Sequence, residues 1–349
     1  MRVLADFHHS DLWESLEMLF TDRFGWDLFR PIGMEWFDSG IWQFERAPSG
    51  RAGWVGDEVA KQYLTPYSTD RQLADWSERD DDTHPGRVYR MVTMEQARAL
   101  NLDIVIATLT ENEEGWHGFA REIGAKFGLQ LGNEATVNRY DLADFCLFST
   151  TREHLPWVPY VFYHHEFSLE DFRFEYPPTE PDVAATWVQC LPSGTVEWER
   201  FKLLAAATPE IQWYHHGHCN QDSGYWRSNV KTTREVAAQM RAARIGIHFK
   251  TWSDGYGHVI HNLFAVGKPV LATALYYRGK MAEPLMVEGV TCWDVETKSK
   301  EEVVALLRRL HEDDDFHRQV SEASYARFRE VVNFDADAEA VREMFSRVL

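Results

Sequence analysis

The sequence is poor in cysteine, in positive charge and in long apolar runs, and each shortage removes a class of protein. Four cysteines among 349 residues (Cys146, Cys190, Cys219, Cys292) stand far apart and form no Cys-x-x-Cys pair. Neither a disulfide framework nor a cysteine zinc site is expected, and the four read as core thiols in a reducing compartment. No apolar run reaches the roughly 18 residues needed to cross a membrane. The opening Met1–Phe7 turns polar too soon for a signal peptide and reads as a buried strand. The expectation is a cytoplasmic protein. Lys and Arg number 36 against 55 Asp and Glu, a formal charge of -19. Such a surface repels polyanions, which disfavours broad binding to nucleic acid or anionic membrane.

What is present points to two buried cores: hydrophobic residues make up 44% of the chain and aromatics 14%. A short apolar run, a small polar loop and a helix-period stretch recur along the chain, the pattern of βα units on parallel sheets. The first unit runs Val3–Phe7, then His8-His9-Ser10, then a helix through Phe20, with Asp11 and Glu14 spaced as a capping box. From Trp36 to Pro85 the pattern lapses into aromatics, glycines and the acidic run 78–82, expected as a solvated face. Thr93 with Gln96 caps a further helix. Strands are predicted at Asp103–Thr108, Leu129–Leu131, Phe145–Phe148 and Val158–Tyr163. Three prolines within Phe174–Pro181 exclude regular helix and central strand there, so a domain linker is placed at 177–183, after a first domain of residues 1–176. The second domain, 184–334, carries predicted strands at Thr186–Cys190, Ile211–His215, Ile245–Phe249 and Pro269–Ala272, with helices near Val196–Ala207 and Thr233–Ala243.

The segment from Ile245 to Ala272 is the most informative: strand, glycine loop, helix, turn, strand. Gly255 and Gly257 allow a ligand to approach the backbone closely. The amides at the next helix start, near His258 to Ile260, suit an anion such as a diphosphate. Asp254 stands at the loop entrance and Asn262 eight residues later. Asp254-Gly255-Tyr256-Gly257 through Asn262, followed by Ala265-Val266-Gly267-Lys268-Pro269-Val270, resembles the donor-site signature of retaining GT-B glycosyltransferases (glycosyl transferases group 1, family 4-like). That signature has Glu-Gly-Phe-Gly, a second Glu eight residues after the first, then Ala-x-Gly-x-Pro-Val. The likeness extends over Thr186–Phe328, with Glu235–Ile247 and Glu288-Gly289-Val290 as matching flanks. Before that it is topological, apart from Val158–Phe172.

The resemblance implies an α/β fold of two Rossmann-like domains facing each other across a cleft, with a last helix at 335–349 packing back toward the first domain. It implies transfer of a sugar from a nucleoside diphosphate sugar, UDP-sugar by frequency, with retention of configuration and without a cofactor or metal. In the family the first Glu meets the transferred sugar and the second the ribose; here they are Asp254 and Asn262. Asp keeps the charge with less reach, and Asn still hydrogen-bonds a diol. The family's basic pair is missing from Gln189–Gly194, so Lys250, Arg278 and Lys280 are nominated to neutralise the diphosphate. Asp254 and Lys250 are thereby catalytic candidates, and Lys250, Gly255, Tyr256, Gly257, His258, Asn262, Arg278 and Lys280 donor-binding ones.

In His215-His216-Gly217-His218 the strand end matches a family glycine loop, which makes Gly217 a donor-lining candidate. Buried structural histidines and a metal site are the competing readings. His8, His9 and Asp11, after the first strand, are acceptor-binding candidates. The family's His-x-His on the Asp103–Thr108 strand is absent, and His117 is the nearest catalytic alternative. The acceptor is expected to be a glycan, a lipid-linked sugar, or a hydroxymethylated DNA base such as the DNA-glucosylating enzymes of some phages use; the acidic charge weighs against the last. Two other classes compete: a catalytically silent nucleotide-sugar or glycan-binding protein, and a sugar-nucleotide epimerase.

Overall fold

The structure is a computed structural model that describes residues 1–6, 10–31, 90–92, 94–108, 113–132, 139–150, 157–188, 191–217, 219–228, 232–252 and 254–349. The aromatic excursion of 36–85 with its acidic run, the capping residue Thr93, and His8, His9 and His218 lie outside the described residues. Two units emerge: Met1–Phe167 with Phe334–Leu349, and Ser168–Asn333.

The first unit is a seven-stranded sheet in the order β3-β2-β1-β4-β5-β6-β7. Its strands are β1 (Arg2–Ala5), β2 (Asp27–Pro31), β3 (Arg90–Val92), β4 (Ile104–Ala107), β5 (Lys126–Leu131), β6 (Phe145–Phe148) and β7 (Tyr160–Phe162). Every pairing between them is parallel. A parallel sheet is covered on both faces, and so its strands are apolar throughout; all four residues of β4 are buried. Helices α2 (Met94–Ala99) and α3 (Glu113–Ile123) serve one core, which gathers Ala97, Trp116, Phe119, Phe127 and Phe148. The opposite face packs against α1 (Ser10–Glu17) and the C-terminal helix Phe334–Val348.

The second unit is a six-stranded sheet in the order β10-β9-β8-β11-β12-β13, again all parallel. Its strands are β8 (Glu180–Thr186), β9 (Gln212–His216), β10 (Trp226–Ser228), β11 (Ala243–His248), β12 (Val270–Ala272) and β13 (Cys292–Asp294). Between and after them come α4 (Val196–Ala207), α5 (Thr233–Ala242), α6 (His258–Ala265), α7 (Lys300–Glu312) and α8 (Asp314–Val331); the helix Phe334–Val348 is α9. Strand order reverses between β8 and β11, so the loop leaving β11 opens at the topological switch point, where sheets of this kind bind ligands. Gly246 of β11 sets how close α6 comes: a Cβ there would stand 2.8 Å from both Leu263 methyls. The helix ends in a Schellman turn. Gly267, at φ +69, donates to the Phe264 carbonyl (3.0 Å) and Lys268 to that of Leu263 (2.9 Å). Pro269 follows and cannot continue the helix. The Gly-Lys-Pro part of the signature is thus a helix stop that feeds β12.

Several expectations need correction. The proline stretch is not a linker up to residue 183, because β8 begins at Glu180 and the second unit already at Ser168. Pro181 is tolerated because the β8–β11 register is irregular between the Glu180 and Ala184 pairings and β9 joins only from Val183. The strand predicted at Thr186–Cys190 accordingly lies earlier. Asp11 falls within the first turn of α1 and not at its cap. That helix passes at Met18 into a π-helical turn reaching Arg23. Four strands were not anticipated: β2 mixes charge and proline, and β3, β10 and β13 have three residues each, too few for a periodicity to register.

Helix α9 holds a large share of the first core through one ring. Phe345 meets Phe145 at 4.9 Å, Trp26 at 5.4 Å and Phe20 at 6.0 Å between centroids. Phe345→Ala is expected to destabilise the protein by about 3–5 kcal/mol, read as a lowered denaturation midpoint with an unchanged denaturant slope.

Candidate functional site

The loop from Phe249 to Gly257 joins β11 to α6, and its backbone is fastened at both ends. Thr273, just past β12, donates its hydroxyl to the Lys250 carbonyl (2.8 Å) and accepts from the Lys250 N–H (3.2 Å). The Thr251 hydroxyl donates to buried Glu197 of α4. At the far end Gly257 is the N-cap of α6 with φ +81 and ψ +52, a left-handed conformation open to glycine without steric cost. As a glycine it has no side chain to cap the helix. Backbone N–H groups and the positive end of the helix dipole gather at this turn.

Asp254 organises this loop. Its Oδ1 accepts the Gly257 N–H at 2.9 Å, and its Oδ2 accepts the Tyr277 hydroxyl at 2.8 Å. The His248 Nε2 lies 2.7 Å from the Tyr277 oxygen and 3.3 Å from Asp254 Oδ2, while the Lys250 ammonium lies 3.9 Å from that same oxygen. Because the phenol donates to the carboxylate, the His248 Nε2–H is the donor to the phenol. The Asp254 main chain is gripped too: its N–H donates to the Tyr276 hydroxyl (3.1 Å), and its carbonyl accepts from the Lys280 ammonium (3.1 Å). Burial disfavours a charged Asp254, but the His248 hydrogen bond, the Lys250 charge and the Tyr277 hydroxyl outweigh it. The carboxyl is held below the usual carboxylate range.

The signature residues divide into those facing inward and those able to meet a ligand. Gly255 and Tyr256 are buried, and the Tyr256 ring stacks on His261 at 4.1 Å, so the Tyr256 side chain packs the helix start. His258 is half-buried, edge-on to Tyr256 at 4.7 Å. Asn262 is half-buried as well, and its amide oxygen is buried without a hydrogen-bond partner among the described residues. Of the three nominated cations, Lys280 is buried, its ammonium 3.3 Å from the Tyr276 ring centroid and spent on the loop backbone. Lys250 is part-exposed, with its ammonium 5.7 Å from the ring of exposed Trp252. Arg278 is exposed at the end of the short 3-10 turn Ala274–Tyr277.

The histidine cluster is structural where it is described. His215 is fully buried with Nε2 3.1 Å from the Val188 carbonyl. His216 stacks on Trp187 at 5.4 Å, and its Nδ1 lies 2.9 Å from the Ser228 hydroxyl. Burial, with Arg227 nearby, pushes His216 down to about 4. Gly217 has both backbone groups engaged, its N–H by the Ser228 carbonyl and its carbonyl by the Trp226 indole, so the β10 edge takes the donors a ligand would need. Among the described residues no group of three or more His, Cys, Asp or Glu is disposed to hold a metal ion.

In the first unit, the acceptor-binding candidates His8 and His9 and the side chain of Asp11 lie outside the described residues. His117 lies on α3, half-buried, its ring edge-on to Phe127 at 5.6 Å. Sequence reasoning passed over two buried carboxylates near it. Asp6, after β1, accepts from the Trp116 indole (2.8 Å) and the Thr108 N–H. Glu113, opening α3, accepts the Arg139 N–H at 2.7 Å. Burial, aided by the Asp6 charge against the Arg139 bond, pushes Glu113 up to about 7. Also passed over were His248, a polar residue closing the apolar β11, and Tyr276 and Tyr277 in the 3-10 turn after β12.

With the geometry in view, comparison with solved structures decides the fold. A structure of Anabaena HepE in complex with UDP and glucose superposes with a TM-score of 0.66 at 10% identity, covering 99% of each chain. A glycosyltransferase from Rickettsia africae gives 0.64 at 9% identity over 99% of this chain and 98% of that one. Sucrose-phosphate synthase from Thermosynechococcus elongatus gives 0.57 at 12% identity with the same coverage. The fold is GT-B. Neither a family model nor a curated protein sequence matches the chain, so at these identities the GT-B likeness is one of architecture.

The Asp254 environment has a pH signature. A carboxyl whose folded value is depressed adds stability that is complete above its unfolded value and fades as pH falls through the folded one. The stability difference between the wild-type protein and Asp254→Asn, from urea melts, is expected to stay constant from about pH 8 to 5 and to shrink only below the ordinary value of about 3.9.

Proposed function

We propose that the chain transfers a glycosyl group from a nucleoside diphosphate sugar, a UDP-sugar in the first instance, to an acceptor hydroxyl with retention of configuration. The observation that carries this reading is the start of α6: a left-handed glycine as N-cap, which has no side chain to cover the first turn, and a largely buried carboxylate that fixes the turn from behind. Such a turn suits a diphosphate. Lys250 stands beside it with its charge part-exposed, and the Asn262 oxygen, without a hydrogen-bond partner among the described residues, suits a ribose hydroxyl. The UDP bound in the HepE structure is in keeping with a uridine nucleotide.

In the proposed reaction the bond between the anomeric carbon and the β-phosphate oxygen breaks. The acceptor oxygen bonds to the same face of that carbon, and its proton passes to the departing phosphate. No strong protein base is then needed. Catalysis rests on positioning and on charge held at the helix start and Lys250, groups that also do what a metal would otherwise do. Asp254 acts by ordering the amides. A glycan or lipid-linked sugar is the favoured acceptor. A hydroxymethylated DNA base is the lesser choice, given a net charge of -19.

An epimerase is the second reading, favoured by one observation: Asp6 and Glu113 place two buried carboxylates in the first unit, one of them pushed up to about 7 as a proton shuttle would be. Incubation with a UDP-sugar separates the readings. Conversion to an epimeric UDP-sugar supports the epimerase, and release of UDP dependent on an acceptor supports the transferase.

A thermal-shift series with UDP, GDP, ADP and their sugar conjugates tests the donor site. One diphosphate at about 100 times its Kd is expected to stabilise the fold by about 2.7 kcal/mol, and Lys250→Ala is expected to lose most of that. Asp254→Ala is expected to cut turnover on the order of a hundredfold with the fold intact, and chelators to leave turnover unchanged. A flat response to every nucleotide would falsify the donor assignment.

A further inference from the structure

The segment after β12 closes on the loop after β11 through three of the four polar atoms of Asp254. Tyr276 takes its N–H, Lys280 its carbonyl, and Tyr277 the carboxylate oxygen that Gly257 leaves unused. Tyr277 is fully buried and His248 nearly so. The phenol is held in turn by the His248 Nε2 at 2.7 Å. The other imidazole nitrogen, Nδ1, is buried with no hydrogen-bond partner among the described residues, so the chain of hydrogen bonds runs one way, from His248 through Tyr277 to Asp254 and on to Gly257. The Tyr277 phenol is the shortest contact to Oδ2, at 2.8 Å; the His248 Nε2 lies farther off at 3.3 Å. Lys250 stands too far away, at 3.9 Å.

We infer that Tyr277 is a positioning residue for the donor site: its hydroxyl orients the Asp254 carboxylate so that Oδ1 holds Gly257 left-handed and the first turn of α6 faces the diphosphate. The inference rests on the donor-site reading above. Its physical basis is that a short side chain such as aspartate has two torsions, and only an anchor on the second oxygen selects the one that caps Gly257. Tyr276 and Lys280 hold the loop by its backbone, whereas Tyr277 holds the group that shapes the turn. The tyrosine does not touch the donor. Its whole effect passes through Asp254.

That dependence is what a double-mutant cycle measures. UDP affinity is determined by calorimetry for the full-length protein, Tyr277→Phe, Asp254→Asn and the double variant, with melting temperatures alongside. Tyr277→Phe, which removes one oxygen and keeps the ring, is expected to weaken UDP binding about tenfold, the effect of losing a hydrogen bond to a charged group. In the Asp254→Asn background the same change is expected to cost less than about threefold. Equal costs in both backgrounds overturn the inference, because a residue that merely stabilises the fold acts additively. Unchanged affinity in Tyr277→Phe overturns it as well, while leaving the donor site standing. Wild-type protein that binds no nucleoside diphosphate overturns the donor reading and the inference together. Should Tyr277→Phe not fold, His248→Asn enters the cycle in its place: the same coupling to Asp254 supports the inference, and additivity overturns it.

Discussion

A carboxylate removed from water must have its charge answered within a few ångströms, and in this chain that requirement organises the second unit. Asp254 is answered from three directions: by the Tyr277 phenol with His248 behind it, by the Lys250 ammonium, and by the N–H of Gly257. Each partner comes from a different piece of chain, so satisfying one charge ties together β11, the loop that leaves it, the start of α6 and the turn after β12. An unsatisfied buried charge would cost far more than any one of these contacts yields. The arrangement is therefore held as a set. Its by-product is a helix start whose N-cap is a left-handed glycine.

The surrounding architecture gives that helix start its location. β11 lies centrally, beside β8 where strand order reverses, so the loop leaving it opens at the switch point. Gly246 lets α6 sit close on the sheet, and the Schellman turn at Gly267 returns the chain directly into β12. Of the motif between residues 254 and 270, Gly257 sets the start of α6 and Asn262 holds a buried amide oxygen without a hydrogen-bond partner among the described residues; Gly267 and Pro269 shape the fold; Tyr256 is packing. A sequence signature of this kind mixes chemistry with architecture, and the two are separable only by where each atom's hydrogen bond goes.

Legibility in the sequence followed length and periodicity. Helix α4 matched its predicted bounds, Val196–Ala207, because twelve residues with a capping threonine carry ample signal. Strands β4, β5, β6, β9 and β11 were anticipated to within a few residues from unbroken apolar runs. β3, β10 and β13 escaped notice because three residues carry no period. β8 was misplaced by a proline that a register irregularity absorbs. At the site, Asp254, Gly257 and Asn262 were visible as a spaced motif. Lys280 was visible as a cation but assigned to phosphate, when its ammonium is spent on the Asp254 carbonyl and the Tyr276 ring.

The sequence by itself determined that the chain forms parallel βα units in two cores, and that a glycine loop leads from a central strand into α6. Both follow from local physics: burial periodicity writes itself into neighbouring residues, and glycine marks where backbone must come close. Only the tertiary structure decided which side chains answer Asp254. His248 ends β11 and Tyr277 closes the 3-10 turn after β12, 29 residues later, and pairing β11 with β12 is what brings them within 2.7 Å. Local pattern carries no record of such a meeting, because hydrogen bonds depend on distance in space, and sheet order sets that distance.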